Sequence, residues 1–230
     1  RAAAAARGKA DCDASSSASG STLRDEVLLN WRLWLMGLDY FCIGVIRSSL
    51  TDWTPLLLAE HKGSLMASAP ACLFAFELGG FCGSVAAGRA SDLLFHGRRG
   101  PVLCFCTALL CPALLALDSC GDARLLPVAY ALLGALAFPV HVLLGLASRE
   151  VVPPAASASA GGLVKFVAQL GASSAGFPLG RFQQAYGWQA VLRLLAGVAL
   201  AGGVAVAPLW RTVARVDDRQ TERRHQRRGG

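Results

Sequence analysis

Long apolar runs, nearly free of charge and separated by short charged segments, constrain this chain more than any single motif. A helix that crosses the hydrocarbon needs roughly twenty apolar residues. Six windows reach about that length: Trp31 to Leu50, Ser64 to Ala87, Pro101 to Leu117, Leu125 to Ser148, Ala155 to Phe177 and Trp188 to Trp210. Apolar residues make up 54% of the sequence against 16% charged, and the charges gather between the windows. A β-barrel would show short alternating segments instead. The pattern predicts an all-α membrane protein with six transmembrane helices over 31–210. A polar, low-complexity cytosolic linker is expected over 1–30 and a basic cytosolic tail over 211–230.

Gly and Ala scattered through the windows suit bundled helices, because small residues let backbones approach closely in lipid. Basic residues set the orientation. Arg1, Arg7, Lys9, Arg24 and Arg32 lie at the first window's start, Arg89, Arg98 and Arg99 between the second and third, Arg149 after the fourth, and Arg211 to Arg228 in the tail. In an alternating six-helix chain these share one side, while the opposite loops carry only Lys62, Arg124 and Arg181. The positive-inside rule then puts both ends in the cytosol. The net charge of +7 reads as a topology signal, and the basic tail as a partner of anionic lipid rather than of nucleic acid.

The chain has eight Cys. Cys42, Cys72, Cys82, Cys104, Cys106 and Cys111 fall within or beside the windows, where a thiol behaves as a small apolar group. No metal-ligand spacing emerges, no Gly-rich phosphate loop leads into Lys-Ser or Lys-Thr, and no Ser sits in a nucleophile elbow. Neither an enzyme nor a bound metal or cofactor is expected.

Four segments carry a family likeness: GVIRSSLTDWTPLLLAEHKGS, then FELGGFCGSVAAGRASD with the following GRRGP, then ASREVVPP, and finally GASSAGFPLGRFQQAYGW. In this order they resemble the C-terminal half of organophosphate:phosphate antiporters of the major facilitator superfamily, of the glucose-6-phosphate translocase and glycerol-3-phosphate transporter type. The likeness covers about Leu33 to Val191. It implies one half of a twelve-helix bundle, completed by an N-terminal six-helix half. It also implies alternating-access exchange of a sugar phosphate or glycerol phosphate for inorganic phosphate. A sensor that binds the same ester and signals to a partner is the alternative. The likeness suggests the endoplasmic reticulum membrane and leaves plastid and plasma membranes open.

Arg47 is the leading candidate for ligand binding. An ionised side chain in an apolar run costs at least a few kcal/mol unless it faces a wet cavity or a partner, and a guanidinium matches two phosphate oxygens at once. The resemblance implies that Arg47, just upstream of Asp52 and Trp53, binds the phosphate of the transported ester. Snorkelling is the competing reading. If the first span stops at Leu50, Arg47 lies only about 5 Å from its end and its head reaches water. If the helix continues past a kink near Pro55, Arg47 moves toward the midplane, where transporter sites lie.

Asp39 and Lys165 sit about 14 Å and about 15 Å from the cytosolic ends of the first and fifth windows. Equal depth and opposite sign suggest a cross-helix ion pair, with Lys165 as a second phosphate cation the other reading. His141, within LAFPVHVLLG, either lines the cavity or satisfies a carbonyl. Glu77 and Glu150 are expected to be structural, bonding to neighbouring helix ends, since a carboxylate would repel phosphate. The resemblance implies that Gly88, Asp92, Arg98 and Arg99 form a gating loop. In it Gly ends a helix tightly, Asp caps or pairs, and the basic pair grips a neighbouring helix end or carboxylate. Leu93 and Leu94 replace the basic residue usual after Asp92, and the plainer reading of GRRG is a positive-inside loop.

Overall fold

The structure is a computed structural model that describes residues 27–60, 68–94, 99–120, 122 and 124–208. The expected linker up to residue 26, Arg98 and the basic tail lie outside the described residues. Seven α-helices are described: α1 Trp31–Asp52, α2 Thr54–Glu60, α3 Ala69–Leu94, α4 Arg99–Ser119, α5 Leu126–Glu150, α6 Ser157–Ser174 and α7 Phe177–Val206. No strand occurs among the described residues. Five helical stretches are long and apolar enough to cross a membrane, and the last of them, Ser157–Val206, comprises both α6 and α7.

Local chemistry explains where the helices start, bend and continue. Asn30 caps α1 by accepting the Arg32 amide proton at 3.1 Å. Pro55 has no amide proton for the Thr51 carbonyl, so the chain bends between α1 and α2. It does not unwind there: the Trp53 amide still donates to Ser49 at 3.2 Å and the Leu57 amide to Trp53 at 2.8 Å.

Gly88 does not end its helix. The residues after it, RASDLL, contain neither Gly nor Pro, so α3 runs on to Leu94 rather than stopping near Ala87. The last helix begins at Phe177 rather than Trp188 and bends at Gly187, where φ is +78°. That angle is easily reached only by a residue without Cβ. Arg181, Gln183 and Gln184 make its first segment too polar to register as part of an apolar window. Pro153 and Pro154 delay α6 to Ser157 behind the short 3₁₀ turn Pro154–Ala156.

The helices pack chiefly as α3 with α5, α1 with α6 and α4 with α7, and α1 also touches α5 and α7. Glycine sets the closest approaches. On the α3–α5 seam, Gly79 lies on the Ala131 carbonyl, Gly83 on that of Ala135, and Gly134 on that of Phe76. Pro139 leaves the Ala135 carbonyl without its usual helical donor, so Gly83 covers an oxygen the helix itself cannot satisfy. On the α1–α6 seam, Gly44 meets the Ala168 carbonyl and Gly171 that of Phe41. A methyl group at any of these glycines would overlap backbone, so larger residues would force the helices apart.

Tyr130, Phe76, Ile43, Leu110 and Leu192 are fully buried between the helices, while Phe74, Phe81, Phe105, Val128 and Val204 lie exposed on the outside. An apolar exterior around an equally apolar core is the arrangement of a protein whose solvent is lipid.

A candidate anion-binding cavity

Three helices bring ligand-competent side chains to one cavity of about 290 Å³. Gly44, Arg47, Ser48 and Thr51 recur at the spacing that places residues on one face of α1, and Asp52 closes that row. Lys165, Ala168, Gln169 and Ala172 repeat the pattern on α6, and His141 projects from α5. The close α1–α6 contact at Gly44 and Ala168 forms the floor between the two rows.

Arg47 is half-buried and faces the bundle. Its guanidinium carbon stands 4.0 Å from the centre of the Phe138 ring on α5, and its Nε is buried without a hydrogen-bond partner. Among the described residues no carboxylate lies within 4.0 Å of it. Helical structure continues past Asp52 to Glu60, which places Arg47 about 20 Å from the far end of α2 at roughly 1.5 Å per residue. Of the two expectations for Arg47, the structure therefore realises the continued helix.

His141 lines the cavity, its ring edge-to-face with Tyr40 at 4.6 Å and 69°. Its Nδ1 is buried and bonds no carbonyl. Lys165 is exposed along the same wall. The expected Asp39–Lys165 pair does not form. Asp39 is buried against Gly202 of α7 and Cys42, with neither carboxylate oxygen partnered, whereas Lys165 faces the cavity. Both residues lie eight positions past the first residue of their helices, but their side chains project in different directions.

Glu77 is exposed on α3 and forms no hydrogen bond among the described residues, so the expected bond to a helix end is absent. Glu150 does bond to a helix end. The Arg99 Nε donates to one of its carboxylate oxygens at 2.8 Å and Nη2 to the other at 2.7 Å, across 51 residues of sequence. This two-point clamp joins the start of α4 to the end of α5, while Asp92 is exposed near the end of α3.

Trp53 secures the bend beside the cavity. Its indole N–H donates to the Ala175 carbonyl at 2.7 Å, and its ring lies edge-to-face with Trp188 at 6.2 Å. Trp188 and Gln183 in turn donate to one Glu60 oxygen at 2.8 and 3.0 Å. Sequence reasoning missed Ser48, Thr51 and Gln169 as lining residues. Their spacing from Arg47 and Lys165 is the signal that finds them. It missed Phe138 because nothing in its own helix announces a neighbour on α1.

Residues 4–176 match the family model described as Major Facilitator Superfamily. The membrane sensor protein UhpC of Salmonella typhimurium is 34% identical, covering 78% of this chain and 40% of that protein. A probable hexose phosphate transport protein of Chlamydia muridarum is 33% identical, covering 80% and 41%. The glycerol-3-phosphate transporter of Bacillus subtilis is 27% identical, covering 83% and 44%. The chain thus spans about two-fifths of the length of these curated relatives.

Proposed function

Because the chain belongs to the Major Facilitator Superfamily, we propose that it supplies one half of a carrier exchanging a sugar phosphate or glycerol phosphate for inorganic phosphate. The observation that carries this reading is the cavity in which Arg47, Lys165 and His141 converge, with no carboxylate among the described residues bonded to either cation. A guanidinium presents paired donors to two phosphate oxygens, and the Lys165 ammonium adds a mobile point charge. His141 offers a ring nitrogen to a phosphate oxygen or a hydroxyl.

Phosphate ester and inorganic phosphate share the group these residues recognise, so either anion fits the same site. Occupation neutralises part of the site's charge, and the loaded carrier rocks between its two access states. A second six-helix half completes the cavity wall and contacts the organic moiety. Relatives named as hexose phosphate and glycerol-3-phosphate transporters support this substrate class. In this reading both ends face the cytosol, and the Arg99–Glu150 clamp belongs to the cytosolic gate, made in one access state and released in the other.

The relative named as a membrane sensor supports a second reading, in which the bound ester is reported to a partner instead of being moved. Counterflow of labelled phosphate in proteoliposomes containing the complete protein separates the two. Exchange is expected, lost in Arg47→Ala and partly kept in Arg47→Lys. Binding without counterflow would favour the sensor, and full exchange by Arg47→Ala would remove Arg47 from the site.

A further inference from the structure

We propose that Phe138 is a positioning residue for the phosphate site. Its ring face holds the Arg47 guanidinium at the cavity wall while leaving the guanidinium's donors free, and Gly80 is the residue that lets the ring lie there. This inference rests on Arg47 being the phosphate ligand.

A guanidinium inside an apolar bundle needs a counterweight. A carboxylate would supply it by occupying the very N–H groups that a phosphate must reach, as Glu150 does at Arg99. An aromatic face supplies it differently, because the negative π-cloud attracts the cation through its plane and takes none of the donors at its edge. Arg47 stands 4.0 Å over the Phe138 ring and has no ion-pair partner among the described residues. Phe138 is not among the residues lining the cavity, so it acts through Arg47 and not on the ligand.

The ring is held from two further sides. Phe76 meets it edge-to-face at 5.4 Å and 68°. Gly80 of α3 lies directly against it, and a methyl group there would overlap ring carbons Cγ and Cδ2. The glycine seam of α3 and α5 therefore continues into the site: Gly79, Gly83 and Gly134 bring the backbones together, and Gly80 makes room for the aromatic ring that supports Arg47.

The experiment measures equilibrium binding of labelled inorganic phosphate to the complete protein in detergent, a readout that carrier and sensor share. Phe138 is replaced by mono-, di- and trifluorophenylalanine, which nearly keep the ring's shape and progressively weaken its π-face. The dissociation constant is expected to climb stepwise with fluorination and to reach roughly a 2- to 30-fold increase in Phe138→Leu, the span of a cation–π contact. Phe138→Tyr should retain near-native binding. Gly80→Ala should weaken binding in the native background and add little in Phe138→Leu, since one displaced contact cannot be lost twice. Gly162→Ala, which meets nothing within 4 Å, is the control that should leave binding unchanged. A flat fluorine series beside an Arg47→Ala that abolishes binding would overturn the role of Phe138 alone. Undiminished binding in Arg47→Ala would overturn the phosphate site itself.

Discussion

Two arginines in this chain are supported in opposite ways. Arg99, at the start of α4, gives two donors to the Glu150 carboxylate and so has its charge answered within the fold. Arg47, inside α1, rests on an aromatic ring, keeps a buried Nε unbonded and opens onto a cavity shared with Lys165 and His141. A paired arginine joins two helix ends. An arginine denied a carboxylate retains binding capacity for an anion from outside. The contrast also separates stability from function, because the first residue should matter chiefly to the fold and the second to the ligand.

The largest effect should come from Arg47→Ala. Losing charge-assisted hydrogen bonds to phosphate should weaken phosphate binding by roughly 100-fold or more, yet the thermal midpoint in detergent should hold or rise, because a buried unbonded polar group has been removed. A large fall in the midpoint would mean that Arg47 is structural and the contrast is wrong. Next in size is Glu150→Ala, expected to cost about 1–3 kcal/mol of stability by breaking a two-point charged contact. The exchanged pair Arg99→Glu with Glu150→Arg should recover part of that loss, and a double variant no better than the single one would argue against a direct bond.

Lys165→Ala should raise the phosphate dissociation constant only about 2- to 5-fold, and less at high salt, since an exposed point charge is screened. An effect matching that of Arg47→Ala would place Lys165 as an equal ligand. Smallest is Asp92→Ala, where an exposed carboxylate should change stability by less than about 0.5 kcal/mol. A larger change in thermal unfolding would assign Asp92 a place in the Arg99–Glu150 clamp.

Several features were legible because they depend on one helix at a time. The apolar lengths announced the helices, Pro55 announced the bend after α1, and a lone arginine in an apolar run announced the residue that opens onto the cavity. The errors share a cause. Asp39 and Lys165 match in distance from their helix starts, but Asp39 turns to Gly202 while Lys165 turns to the cavity. Gly88 suggests a stop by residue type, yet no described residue of α3 takes a positive φ and the helix passes through it. The kink at Gly187 was hidden because polar residues on its first flank broke the apolar pattern.

By itself the sequence determined the solvent, the all-helical class, the family and the residue whose charge most demands an explanation. These follow from composition, from the length needed to cross lipid and from the periodicity of a single helix. Only the tertiary structure decided which charges meet. It joined Arg99 to Glu150, parted Asp39 from Lys165 and set Phe138 beneath Arg47. The reason is rotational: a helix's own sequence fixes the angle between its residues, but its rotation against a neighbour is set by contacts such as Gly44 on Ala168 and Gly134 on Phe76. Those contacts join residues far apart in the chain, and no local pattern records them.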